Sequence, residues 1–237
     1  MIRTFILILT ILFLAGCGER TIDSEILAFE NQLGKKEAVG LSKMVEHFET
    51  ELLKKHPNKT LDEAYQIHLD FIANSNGSEL GNRVLAQFRK DSIFGIYSKS
   101  LVSEIWIKPD SVWINDSLLY ISYRGNLNPR GRKINYDITD FDSLLYTEKN
   151  TEAFNIKGRY LLAFKEISES NVLANWYYDL HSNAGTFSPH ITAQAFQHRK
   201  FEYYNLRTKI DYSDYLVKRI ILVETYADGY FNKVNNE

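Results

Sequence analysis

Cysteine occurs once in the 237 residues, proline four times, and the charges nearly cancel, 28 Lys and Arg against 30 Asp and Glu. A single Cys excludes an internal disulfide framework and every zinc site built from several thiolates. A formal net charge of −2 lacks the basic excess that non-specific nucleic-acid binding draws on, so no DNA or RNA partner is expected. The 12 glycines are too scattered to cradle phosphates, and no Walker loop, dinucleotide fingerprint or Gly-x-Ser-x-Gly elbow occurs, so no cofactor is expected. What is present, 44% hydrophobic, 14% aromatic and 24% charged residues, describes an ordinary globular chain.

Long hydrophobic runs are also scarce, with one exception at the start. Met1-Ile2-Arg3 is followed by an apolar stretch from Thr4 to Phe13. It is shorter than the roughly 18–20 apolar residues of a spanning helix and has the proportions of an export-signal core. Leu14-Ala15-Gly16-Cys17-Gly18 comes next.

This placement of small residues before a Cys resembles the lipobox of bacterial lipoproteins. The resemblance implies that Cys17 receives a diacylglyceryl group, that residues 1–16 are cut away as a signal peptide, and that the new amino terminus is acylated. Gly18 stands where an Asp commonly favours inner-membrane retention, so the resemblance implies the outer membrane, with the domain facing the periplasm or the outside. Removing 16 of the 237 residues takes Arg3 as its only charged group and leaves 221 residues with a net charge of −3 and no further thiol. The acyl chains would then supply the membrane attachment, since each buried methylene contributes about 0.8 kcal/mol. Residues 17–23 form a short lipidated tether, and residues 24–237 one mainly helical, bundle-like domain.

Within that domain the apolar spacing predicts two antiparallel helices between Ser24 and about Asn74, separated near His56-Pro57-Asn58, with Thr60-Leu61-Asp62-Glu63 as a capping box. A further helix is expected over Glu79–Arg89. Residues 105–123 are rich in aromatic and β-branched residues and predict a small β-hairpin or meander, a helix from Asp116 being the rival reading. Residues 126–133 read as an exposed basic loop. Helical periodicity returns near Thr151, continues through Ser170–Leu180 to a C-cap at Gly185, restarts at Ser188-Pro189, and ends in a helix over about Ser213–Phe231, apolar on most sides. A lipobox followed by such a domain, with this Gly-x-x-Ser-Pro restart, is similar to uncharacterised lipoproteins of Gram-negative bacteria; that likeness implies no activity.

Chemistry-bearing residues are sparse. The histidines at 47, 56, 68, 181, 190 and 198 are never three or four apart, so no helix face offers the His pair of a His-Glu-x-x-His site and no metal is expected. His190 and His198 would diverge by about 80° on one helix. His68 sits in an apolar stripe and reads as a hydrogen-bonded core histidine. Glu224 falls among Ile220, Ile221 and Ala227, where a carboxylate needs a partner, an Arg or a Tyr hydroxyl. Glu166 with Glu169, and Asp140 with Asp142, read as solvated surface carboxylates. Late tyrosines (Tyr203, Tyr204, Tyr212, Tyr215, Tyr226, Tyr230) either pack at the core boundary or form a face for sugars or a protein. Asp-Ser-aliphatic triplets beginning at Asp91, Asp110, Asp116 and Asp142 resemble an O-glycosylation acceptor motif of exported Gram-negative proteins, but Asp and Ser also simply make caps and turns.

The functional expectation is a non-catalytic, lipid-anchored protein whose domain binds an envelope protein or glycan. The competing expectation is an envelope hydrolase with a site composed of His47, His181, His190, His198 and Glu224, which requires two or more of them to converge in a concave pocket.

Overall fold

The computed structural model describes residues 22–74, 99–115, 118–123, 130–133, 141–150, 153–185, 188–198 and 210–227. The expected signal peptide over residues 1–16, the residues around Cys17 and the expected helix over Glu79–Arg89 lie outside them. The described part is mainly α-helical with small antiparallel sheets, as expected. No described helix is long and apolar enough to cross a membrane.

Where two helices were expected before residue 75, three form: α1 (Ile22–Leu33), α2 (Lys35–Lys55) and α3 (Leu61–Asn74). Gly34 causes the extra break, adopting φ 101°, a conformation costly for any residue with a Cβ. A Cβ there would also sit 2.7 Å from Arg159 Nη1. In α1, Glu25, Phe29 and Leu33 recur every fourth residue on the buried face. In α2 the buried set is Ala38, Leu41, Met44, Val45, Phe48 and Leu52. The helix ends at Lys55, two residues before Pro57, which cannot continue it. The capping box forms as expected: Thr60 N–H donates to Glu63 Oε2 at 2.9 Å, and Glu63 N–H to Thr60 Oγ1 at 3.3 Å.

Helix α4 (Lys99–Ile105) runs directly into β1 (Trp106–Ile107), which pairs antiparallel with the distant β5 (Ala153–Phe154). Between them lie β2 (Ser111–Asn115), β3 (Leu118–Ser122), β4 (Arg130–Lys133) and α5 (Phe141–Asn150). The three strands form one antiparallel sheet in the order β2-β3-β4. The strand expectation for 105–123 therefore holds over its helical rival. Two expectations need correction. Arg130–Lys133 is a strand paired to β3 instead of part of a loop, residues 126–129 lying outside the described part. Residues 153–154, read as the start of a helix, are extended because they complete the β1 ladder, and the helix begins only at Arg159.

That helix, α6 (Arg159–Ile167), is followed by α7 (Val172–Ala184), α8 (Pro189–His198) and α9 (Tyr215–Ile221), the last passing into a π-helical turn, Leu222–Ala227. Local signals set most boundaries. Asn171 caps α7 by accepting from Ala174 N–H at 3.0 Å, Gly185 ends it at φ 72°, and Asp214 Oδ1 accepts from Leu216 and Val217 N–H at 2.8 and 2.9 Å. The last helix is central, as its composition implied, with Leu216, Val217, Ile220 and Ile221 buried. Its expected continuous α-geometry is corrected by the π turn. There Thr225 Oγ1 donates to Ile221 O at 2.6 Å, a side-chain competitor for a backbone acceptor, and four consecutive residues from Leu222 to Thr225 are buried.

Two glycines give contrasting stability predictions. A Cβ at Gly158 would lie 1.9 Å from the backbone oxygen of Glu104, which cannot move aside alone, so Gly158→Ala should cost about 1–3 kcal/mol or unfold the region. At Gly185 a Cβ meets nothing within 4 Å, and Gly185→Ala should cost only the left-handed backbone term, about 1–2 kcal/mol. Urea denaturation of both variants checks the order; a Gly158→Ala protein as stable as wild type contradicts the packing.

Candidate functional site

Of the residues proposed for a composite site, the structure brings two together. Glu224 projects from the π turn and His181 from the last turn of α7, with His181 Nε2 3.1 Å from Glu224 Oε1. The same oxygen accepts from Tyr177 O–H at 2.5 Å, one helical turn earlier on α7. Glu224 is thus partnered, one of its partners being the Tyr hydroxyl that its apolar setting called for. His181 came from the sequence only as a separate candidate, 43 residues away.

The protons can be placed from the acceptors. His181 Nδ1 lies 2.8 Å from the Gly185 carbonyl, which only accepts, so Nδ1 carries a hydrogen. Nε2 faces a carboxylate oxygen, and one further proton must lie between them. Phe154 stacks on the imidazole at 3.6 Å and 21°, and Tyr177 stands edge-on at 4.6 Å. Tyr160, fully buried alongside, donates to the Arg219 carbonyl at 3.3 Å. Burial, reinforced by the Glu224 charge, holds both Tyr160 and Tyr177 hydroxyls well above the usual phenol range, so both stay protonated donors.

The arrangement is a buried hydrogen-bond network. The side chains of His181 and Glu224 are 1% and 6% exposed, and Phe154 covers the ring. A carboxylate and an imidazole in contact form an acid/base pair in principle, and here both are closed off from solvent. A cleft of about 420 Å³ opens elsewhere among the described residues, lined by Gln32, Leu162, Lys165, Glu166 and Glu169. It contains the expected carboxylate pair Glu166 and Glu169, both exposed. Asp142 is exposed on α5, and its companion Asp140 lies outside the described residues.

The other histidines go to separate places. His190 Nδ1 donates to the Ile72 carbonyl at 3.3 Å, tying α8 to α3. His47 is half-buried on α2, and the side chain of His198 lies outside the described residues. His68 is the core histidine expected. Thr225 spends its hydroxyl hydrogen on Ile221 O, so His68 Nε2 donates to Thr225 Oγ1 at 2.9 Å. Burial, helped by the charges of Lys55 and His56, pushes the His68 pKa down to about 3, so the ring is neutral. No group of three or more His, Cys, Asp or Glu fit to hold a metal occurs among the described residues.

Two of the late tyrosines, Tyr212 and Tyr215, pack inward. Tyr212 stacks on Tyr65 at 5.5 Å and 4° and donates to Gln66 Oε1 at 2.9 Å, while Tyr215 donates to Glu30 Oε1 at 2.7 Å. Tyr203, Tyr204 and Tyr230, and the side chain of Tyr226, lie outside the described residues. Of the Asp-Ser-aliphatic triplets, Ser111 opens β2 and Ser143 lies in the first turn of α5, both exposed; Ser92 and Ser117 lie outside the described residues. What the sequence reading passed over is the stacked pair of exposed Trp113 and half-buried Tyr120, directly opposed on β2 and β3.

Two measurements test the interior. Replacing Glu224 by Ala leaves the Tyr177 hydroxyl and the His181 Nε2 buried without their shared acceptor and should cost about 3–5 kcal/mol, whereas Tyr177→Phe, which removes one donor, should cost about 1–3 kcal/mol. Chemical denaturation giving the reverse order would refute the network. For His68, the folded pKa is depressed below its unfolded value of about 6.5, so the unfolded chain binds one more proton between there and about pH 3. Its contribution is complete above pH 6.5 and is lost as pH falls toward 3. His68→Leu should therefore flatten the fall of stability with acid by about one proton per molecule over that window, read from denaturation midpoints at a series of pH values.

No protein-family model matches the chain, and neither a curated protein nor a solved structure matches it significantly.

Proposed function

We propose that the chain is a lipid-anchored outer-membrane lipoprotein whose helical domain binds another envelope component, a protein or a glycan, without catalysing a reaction. The observation that carries this reading is Cys17 at the end of Leu14-Ala15-Gly16, after a short apolar run. Its spacing from the domain is consistent: α1 begins at Ile22, five residues on, a distance the chain spans in at most about 18 Å. A domain so tethered stays close to the bilayer that holds it, and the acyl chains, not the weakly acidic surface, provide the hold. The non-catalytic part is supported by the sealing of His181 and Glu224 under Phe154 and by the assignment of His190 and His68 to structural hydrogen bonds.

Expression of the full chain in a Gram-negative host fed an alkyne-tagged fatty acid tests it. Wild type should carry the label, lose residues 1–16 and sediment with the outer membrane. Cys17→Ala should remain unlabelled and uncleaved at that bond. Wild type that takes up no label, or label that persists in Cys17→Ala, rejects the reading.

A further inference from the structure

Asp-Ser recurs in this chain more often than its composition accounts for. Aspartate is followed by serine five times, at Asp23, Asp91, Asp110, Asp116 and Asp142, where 13 Asp and 17 Ser scattered over 237 residues would give about one such pair. In four of the five an aliphatic residue comes next, Ile93, Val112, Leu118 or Leu144; the fifth is Asp23-Ser24-Glu25. Three of those four triplets, from Asp110, Asp116 and Asp142, fall between β1 and β5.

The two triplets within the described residues share one pattern of exposure on two kinds of backbone. Asp110 and Ser111 are exposed and Val112 is half-buried where β2 begins; Asp142 and Ser143 are exposed and Leu144 is half-buried in the first turn of α5. Capping, the ordinary use of an Asp beside an element's start, accounts for neither. A capping Asp accepts from nearby N–H groups, as Asp214 does from Leu216 and Val217. Among the described residues the carboxylates of Asp110 and Asp142 accept no such bond, and the Ser111 hydroxyl makes none.

Both serines also stand at the start of an element, where a chain yields most readily. Ser111 is the first residue of β2, which lies at the edge of its three-stranded sheet, and it pairs with Ser122 of β3. Ser143 is the third residue of α5, and the first N–H groups of a helix have no intrahelical acceptor. Fraying at such ends costs little beside opening a core, so an enzyme can draw either hydroxyl into its cleft. The two positions are neighbours in space, because α5 packs against β2.

We propose that Ser111 and Ser143 are covalent glycosylation sites, each Oγ carrying a saccharide added after export. This assignment rests on the lipoprotein reading for its compartment: outside the inner membrane no nucleoside triphosphate is at hand to phosphorylate a serine, whereas sugars joined through phosphate to a lipid carrier are. In the transfer the serine Oγ attacks the anomeric carbon of such a donor. The bond from that carbon to the carrier's phosphate oxygen breaks and the glycosidic C–O bond forms. The carrier leaves as its phosphate, and the hydroxyl proton passes to a base of the transferase, with no change of oxidation state. A bulky, solubilising group is accommodated at exposed positions such as these without disturbing the core.

The test is peptide mapping by electron-transfer mass spectrometry of the full chain recovered from the cells that naturally make it, with the intact mass read on the same preparation. Peptides containing Ser111 and Ser143 should each carry a saccharide increment. The peptide containing Ser24, exposed in the first turn of α1 but followed by Glu25, should carry none. Ser111→Ala should remove one glycan from the intact mass and leave the melting temperature unchanged, since that hydroxyl is exposed and bonds nothing among the described residues. Ser111→Thr should keep the glycan, and Asp110→Asn should lose most of it although Ser111 stays exposed. Either serine bare in the wild type, a phosphate in place of the saccharide, a glycan on Ser24 at equal occupancy, or full occupancy of Ser111 in Asp110→Asn overturns the proposal; the wild-type map needs no variant to fold. The peptide that begins at Cys17 is read in the same map. Acylated Cys17 with bare serines rejects the glycosylation alone, and glycosylated serines with an unacylated Cys17 reject the anchor alone.

Discussion

The molecule turns on the antiparallel seam between α1 and α6, and Phe29 is its centre. Its ring meets Phe164, Tyr215 and Tyr160 edge-on, at 5.0, 5.9 and 6.3 Å, the geometry in which the positive rim of one ring approaches the negative face of another. Burying such a side chain contributes about 1.5–3 kcal/mol, and here it also joins the first helix to residues more than a hundred positions later. Without that seam α1 would be a short amphipathic helix, too brief to hold its shape alone. With it, the first described helix is locked onto the last third of the sequence.

Polar groups inside this core restrict how it can be assembled. Glu224, His181 and Tyr177 form one satisfied network, His68 and Thr225 another, and both use the π turn that follows α9. A purely apolar surface would tolerate a helix rotated or shifted along its axis, whereas these donors and acceptors match in one register only. The wider turn is what lets Glu224 reach α7 while Thr225, the next residue, reaches α3. Arg219 shows the same economy one turn earlier, its guanidinium lying 3.2 Å over the Tyr215 ring and donating to Ser42 Oγ at 2.7 Å. The π geometry of the helix and the specificity of the packing have a common origin here.

Local chemistry was legible in the sequence and distant pairing was not. Thr60 and Glu63, Gly185 and Ser188-Pro189 act within one turn of themselves, so their residue types were enough to place helix ends. The mainly helical class followed from the same periodicities. By contrast, Ala153 and Phe154 are extended only because Trp106 and Ile107 lie beside them, and nothing within a few residues of Phe154 announces that. Glu224 advertised its need for a partner by standing among aliphatic residues, yet both helix ends and loops separate it from His181. Of the late tyrosines, Tyr212 and Tyr215 proved to be packing residues, while Trp113 and Tyr120, unremarkable as single letters, acquire meaning only when the β2–β3 register sets them opposite each other.

The excursion's architecture meets a mechanical requirement that a loop would fail. An isolated two-stranded hairpin is marginal in water, and a third strand or a covering helix is what makes such a unit hold its shape. Here β4 supplies the third strand and α5 packs against β2, so the exposed row on β2 and β3 is backed by a covered row that includes Leu119. The root is stiffened in turn: Gly158 allows the start of α6 to press against the Glu104 carbonyl, Glu104 caps the Arg159 N–H that a glycine cannot cap, and Asn155 Nδ2 reaches Ser103 O at 2.8 Å. Two residues of ladder at β1 and β5 would be a weak hinge by themselves, but with these contacts the side chains on the sheet are held by the same framework that holds Phe29.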